Sequence, residues 1–175
     1  ASDLHNYLAK IEENLPVDVL IVAYGPFVMA PLEEMDLNQW RRMSDNNFLL
    51  PGILVSTAVA RMKKQRFGRI ILFGGTGTEQ IRGYRKTAAY SAAKTGLAVL
   101  VKSAGRQLAG SNITCNMVCP GVVETKYYSH RELKKRRNQM PGGKLLETEE
   151  IADVVSYLCA PERRQINGAV INIDK

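Results

Sequence analysis

Tyr90 and Lys94 stand four residues apart in the run AAYSAAKTG, a stretch rich in helix formers, so a helix there carries a phenol and an ammonium on one face. A cation beside a tyrosine favours the phenolate and lowers its pKa, which suits the phenol to exchange a proton with a carbonyl oxygen near neutral pH. The same spacing also suits a solvated helix with an incidental contact, because YxxxK is a short motif.

The chain that must position this pair has 175 residues, enough for one sizeable core, and its 45% hydrophobic and 23% charged content is that of a globular domain. One domain spanning residues 1–175 is expected. The net charge of +7 comes largely from Arg131 to Arg137 (RELKKRR) with Lys63, Lys64 and Arg66. No aromatic residues interleave these positions, so a nucleic-acid groove is not expected, and a solvated face accounts for the run equally well. Cys115, Cys119 and Cys159 lie in apolar segments without CxxC or Cys/His spacing. They read as small buried hydrophobes in a reducing compartment. His5 and His130 stand apart from any Cys or His, which leaves no metal site and no Ser/His/Asp arrangement. With no signal peptide and no membrane-length apolar run, the expected location is the cytoplasm.

Residues 2–14 place Leu4, Tyr7, Leu8 and Ile11 at helical spacing before Pro16. VDVLIVA (17–23) reads as a strand buried on both faces. Residues 37–65 suit a helix in two pieces around Pro51, with Trp40, Phe48, Leu49, Ile53, Leu54, Val59 and Met62 as its apolar faces. RIILF (69–73) is a second strand, and GGTGTEQIRGYRK (74–86) is loop. A long helix follows from about Ala88 to Leu108, then a strand at 113–119 closed by Pro120 and Gly121. The charged segment 122–146 suits an excursion with one short helix. Thr148 caps a helix through Cys159, and AVINI (169–173) is the last strand. This alternation predicts a doubly wound, mainly parallel, Rossmann-like sheet in three αβα layers. Ligands then gather at the strands' carboxyl ends, where Gly25, Gly74 to Thr76 and Pro120 to Thr125 fall.

Several of these segments match one family in order. DVLIVAYG (18–25), WRRMSDNNF (40–48), GRIILFGG (68–75), YSAAK (90–94), NITCNMVCPGVVET (112–125), EEIADVVSYL (149–158) and INGAVINID (166–174) together resemble the short-chain dehydrogenase/reductases. The resemblance implies an NAD(H)- or NADP(H)-dependent oxidoreductase that exchanges a hydride between nicotinamide and a carbonyl or alcohol carbon of a small molecule. It implies Tyr90 as the general acid/base, Lys94 as its partner and a ligand of the nicotinamide ribose, and Asn47 as the holder of a water in the proton relay. Asn47 also suits satisfying backbone groups at a helix kink. Gly25 falls at the end of the family's NNAG, beside the cofactor. Pro120 and Gly121 match the turn facing the nicotinamide, with Val123 near its carboxamide and Thr125 beside the phosphates.

Three departures accompany the match. Gly75 replaces the family's catalytic serine, leaving Thr76, Thr78 or the backbone N–H groups of Gly74 to Gly77 as substitute donors. Val22 replaces the first asparagine of NNAG. No GxxxGxG turn precedes Asp18, so the chain corresponds to the C-terminal two-thirds of the family's fold, and this piece is expected to bind dinucleotide poorly. Within the family, a 3-oxoacyl thioester reductase is one subclass, for which RELKKRR offers attraction to an acidic acyl carrier protein. The family also implies a homodimer or homotetramer formed through helices near 46–65 and 88–108. The alternative from another class is a non-catalytic binding or scaffold protein on the same fold.

Overall fold

The computed structural model describes residues 16–125 and 129–174. The helix expected at 2–14 lies outside them. Among the described residues, β1 (Val19–Val22), β2 (Gly68–Phe73), β3 (Ile113–Pro120) and β4 (Val170–Ile173) form one sheet in the order β1-β2-β3-β4. Every pairing is parallel, with Ile71 of β2 opposite Ile21 of β1 and Asn116 of β3. The α-helices among the described residues are α1 (Leu37–Ser44), α2 (Leu50–Gln65), α3 (Ala88–Gln107), α4 (His130–Arg137) and α5 (Thr148–Cys159). No helix among the described residues is long and apolar enough to cross a membrane.

Side chains of β2 alternate between two helical layers, as the period of a strand requires. Ile70 and Leu72 face Val55, Ala58 and Met62 of α2 and Leu97, Val101 and Ala104 of α3. Ile71 and Phe73 face Ile151, Val154, Val155 and Leu158 of α5. This is the αβα arrangement expected of the pattern.

β1 departs from expectation. Its Val19 and Ile21 are 41% and 48% exposed, and only Val22 is buried. It is an edge strand of the described sheet, and the apolar run that suggested burial on both faces is covered on one.

The long helical stretch is interrupted elsewhere than at proline. Residues Asp45–Leu49 form a π-helical turn between α1 and α2, and Pro51 sits in the first turn of α2, where a missing N–H costs no intrahelical bond. The face of this stretch that enters the core is also different: Met43, Val55, Ala58 and Met62 are buried, whereas Trp40, Phe48 and Leu49 are exposed. Helical period identifies a stripe; the wider π turn rotates it.

Two further boundaries move. Glu147, not Thr148, is the N-cap of α5, through a capping box with Glu150, and the Thr148 hydroxyl bonds Glu149 instead. The basic run is the helix α4, capped by Ser129 with Glu132 and anchored by buried Leu133. Arg137 of that helix holds Glu124 with two hydrogen bonds of 2.5 and 2.6 Å.

Close backbone approach joins α3 to the loop before β4. A Cβ on Gly105 would collide with the backbone of Gly168, whose φ of 75° is itself in the left-handed region. Asn167 and Asn116 fasten this junction. Asn167 accepts from the Cys115 N–H and donates to the Gly105 carbonyl, while Asn116 donates to the Ile166 carbonyl and accepts from the Ala169 N–H.

At the opposite rim from the candidate site, Arg69 is fully buried and stacked on Phe67 at 4.6 Å. Its guanidinium makes five hydrogen bonds, to the carbonyls of Gly68, Asn112, Ala160 and Pro161 and to Asn112 Oδ1. Ala160 and Pro161 follow the C-terminus of α5, so a cation there satisfies orphan carbonyls and complements the helix dipole. Arg69→Met is expected to lower unfolding free energy by about 3 kcal/mol, since several buried acceptors lose a charged donor together. A urea titration unchanged in midpoint would contradict this.

Candidate active site

Tyr90 is the third residue of α3 and its ring lies half-buried at the carboxyl end of the sheet. Phe27, from the segment after β1, meets it edge to face, with centroids 4.9 Å apart and planes at 81°. One turn on, Lys94 Nζ stands 5.9 Å from the Tyr90 ring centroid. The helix therefore delivers the phenol and the ammonium to one face.

Lys94 is 4% exposed and donates to the carbonyl of Phe73, the last residue of β2, at 2.9 Å. Burial pushes its pKa from 10.5 down to about 8, with Cys119 opposing the shift. Asn47 comes to the same place from the π turn. It is fully buried; its Nδ2 donates to the Pro26 carbonyl at 3.0 Å, while its Oδ1 has no hydrogen-bond partner. A wider helical turn aims Asn47 inward while Asn46 and Phe48 on either flank of it stay at or near the surface.

Gly25 lets these groups converge. A Cβ at residue 25 would overlap Asn47 Oδ1 and stand 3.1 Å from Lys94 Nζ, so only the bare backbone fits. Gly75 plays the same part for Tyr90: a Cβ there would lie 2.8 Å from the phenolic oxygen. The space that a serine side chain would enter is thus taken by the Tyr90 hydroxyl.

Several of the substitute donors near Gly75 are already engaged. The Thr78 hydroxyl donates to the Gly75 carbonyl at 2.8 Å and accepts from the Gly75 N–H at 2.9 Å, closing a small loop. The Gly74 N–H is bonded to the Val118 carbonyl. Thr76 is exposed, and its hydroxyl donates to the Pro120 carbonyl at 3.3 Å, tying the tip of β2 to the tip of β3.

The remaining expected residues lie along the end of β3. The Gly121 N–H donates to the Ile173 carbonyl at 2.7 Å, and a Cβ at 121 would meet the Asp174 carboxylate. Val123 pairs in a bridge with Leu146 and packs against the β2, β3 and α5 cluster. Thr125 is half-buried at the end of the segment described before residue 129. Tyr90, Lys94, Asn47, Gly25 and Gly75 therefore form one cluster, and Thr76, Pro120 and Gly121 an adjoining wall.

Phe27 carries no sequence signal of its own. Thr78 had a weak one, a threonine three residues after a glycine pair, where a hydroxyl can close a turn.

A buried ammonium with one backbone acceptor, an orphaned amide oxygen and a bare glycine wall fit the nicotinamide ribose half of a dinucleotide, whose hydroxyls offer donors and acceptors in the same space.

A family model described as enoyl-(acyl carrier protein) reductase matches residues 1–175. The chain is 34% identical over 161 residues to YtkK of Bacillus subtilis strain 168, described as an oxidoreductase, covering 89% of this chain. It spans 63% of YtkK's length. It is 30% identical over 173 residues to the 3-oxoacyl-[acyl-carrier-protein] reductase MabA of Mycobacterium tuberculosis H37Rv, covering 96% of this chain and 68% of MabA. Among solved structures, the F189W actinorhodin polyketide ketoreductase with NADPH superposes with a TM-score of 0.88 at 26% identity, covering 99% of this chain and 72% of that one.

Proposed function

The chain belongs to the short-chain dehydrogenase/reductase family, and from that premise we propose that it carries the catalytic residues of an NAD(H)- or NADP(H)-dependent oxidoreductase acting on a carbonyl or the corresponding alcohol. The observation that supports this best is the convergence of the Tyr90 phenol, the buried Lys94 ammonium and the orphaned Asn47 amide oxygen on Gly25, where a Cβ would overlap Asn47, and on Gly75, where a Cβ would press on the phenolic oxygen. A scaffold needs none of these costly features.

In this reading Tyr90 donates its phenolic proton to the carbonyl oxygen during reduction, or removes the hydroxyl proton during oxidation. Lys94 lowers the phenol's pKa and bonds the ribose hydroxyls of the dinucleotide. Asn47 Oδ1 accepts from a water that resupplies the proton. Gly25 gives the cofactor a bare wall, Pro120, Gly121 and Val123 line its nicotinamide side, and Thr125 stands beside its phosphates. Thr76 holds the β2 and β3 tips together. When bound, the dinucleotide supplies or accepts the hydride.

Relatives named as acyl-carrier-protein reductases make a 3-oxoacyl thioester a reasonable first substrate. The test is the absorbance of NADPH and NADH with acetoacetyl thioesters and simple ketones. Absence of turnover with every pair would favour a second reading, a non-catalytic member of the family, which the missing hydroxyl at Gly75 supports.

Gly75 also yields a directed prediction. Gly75→Ser restores a donor for the substrate oxygen, a kind of contact worth on the order of 100- to 1000-fold in rate, against a small displacement of the flexible phenol tip. Turnover is expected to rise about tenfold or more. A fall in kcat would show instead that the bare backbone is what seats Tyr90.

A further inference from the structure

The ring that flanks the Tyr90 phenol is fastened from two sides. Phe27 stands five residues past the end of β1, and the backbone around it is tied to elements that carry other parts of the site. The Pro26 carbonyl accepts from Asn47 Nδ2 at 3.0 Å, and the Ala30 N–H donates at 2.8 Å to the carbonyl of Lys86, four residues before Tyr90. Between these two anchors the Phe27 ring meets the Tyr90 ring, with centroids 4.9 Å apart. A single exposed apolar side chain elsewhere on a surface needs no explanation. This one is 50% exposed while it touches the proposed acid, and both the π turn and the entry to α3 hold it there.

Half of the ring is thereby left for a ligand. A carbonyl oxygen at hydrogen-bond distance from the phenol, roughly 2.7 Å, brings the groups on its carbon alongside Phe27, because the two rings are already in contact. The walls around that carbon are unlike each other. From the β1 side comes an aromatic ring, whereas from the tip of β2 Gly75 brings only backbone, its N–H and carbonyl both closed on the Thr78 hydroxyl. An aromatic wall favours a flat, aromatic substituent over a saturated one of equal size, since ring pairs gain offset or edge contacts beyond the area they bury.

We infer that Phe27 is a specificity-determining residue of this site, and that it selects carbonyl compounds, or the corresponding alcohols, bearing an aryl group on the reacting carbon. The inference rests on the oxidoreductase reading above and narrows its substrate class. Phe27 itself exchanges no proton; it offers the surface on which the substrate's ring is seated while Tyr90 meets the oxygen.

The test compares acetophenone with cyclohexyl methyl ketone, two ketones of similar size of which one carries a flat aromatic ring. The ratio of their kcat/KM values with NADPH or NADH is measured in the native chain and in two variants, so that the ketones' intrinsic reactivities cancel. Phe27→Leu, which keeps an apolar side chain and removes the ring, is expected to lower the ratio about fivefold, mainly through KM for acetophenone. Phe27→Tyr should preserve it. Turnover with an unaltered ratio in Phe27→Leu overturns the inference and leaves the oxidoreductase reading standing. Where neither ketone turns over, saturation-transfer NMR of both ketones with the 175-residue chain decides, with no nicotinamide added. Transfer to the acetophenone ring protons that falls about fivefold in Phe27→Leu and persists in Phe27→Tyr then upholds Phe27 as the selecting wall while the redox reading fails. Transfer that is absent from the native chain, or equal in Phe27→Leu, overturns the inference as well.

Discussion

Tyr90→Phe is expected to abolish nearly all carbonyl reduction while leaving the fold intact. Loss of a positioned general acid costs on the order of 10²–10⁴ in rate, and no other hydroxyl stands ready to replace this one. Thr78 is closed on Gly75, and Thr76 donates to Pro120. The phenyl ring keeps its edge contact with Phe27, so the thermal midpoint should move little. Stopped-flow traces with saturating NADPH and carbonyl acceptor separate the chemical step from binding. Undiminished turnover in this variant removes Tyr90 from the mechanism, and with it the proposed reaction.

Lys94→Met is expected to do two opposite things: to cut turnover by a similar factor and to make the protein more stable at neutral pH. A 4%-exposed ammonium with its pKa held at about 8 instead of 10.5 is a group whose charged form the fold disfavours. A displacement of that size corresponds to about 3 kcal/mol. Below pH about 8 the folded chain carries the full cost of the buried charge. Between about 8 and 10.5 the unfolded chain holds the extra proton, so stability of the native sequence rises with pH across that window. Methionine removes both the cost and the dependence, although it leaves the Phe73 carbonyl without its Nζ donor. Thermal melts at pH 7 and pH 10 provide the comparison, and a variant less stable at pH 7 would falsify the account. The same pKa sets the activity profile. As Lys94 loses its proton above about 8, it ceases to favour the phenolate, and kcat/KM for reduction should fall.

The two expectations belong together. Retaining a buried cation that weakens the fold makes physical sense where the charge performs work on a neighbouring phenol, and a stability gain on its removal is the signature of that exchange.

The order of strands and helices, the parallel sheet and the pairing of Tyr90 with Lys94 were all legible in the residues. Each rests on local pattern or chain order: a short apolar run in RIILF, a four-residue spacing on α3, and strand–helix alternation that admits a single crossover hand. What tertiary structure alone decided concerns contacts between distant segments. Exposure of Val19 and Ile21 depends on what lies beside β1, which an apolar run does not encode. The π turn that brings Asn47 against Gly25, twenty-two residues earlier in the chain, also displaces the helix break from Pro51. The approach of the Tyr90 hydroxyl to Gly75, and the engagement of Thr78 that withholds the nearest substitute donor, follow from how α3 docks on the end of β2. Period determines which face a residue occupies; only the packed register of sheet and helix determines what that face meets.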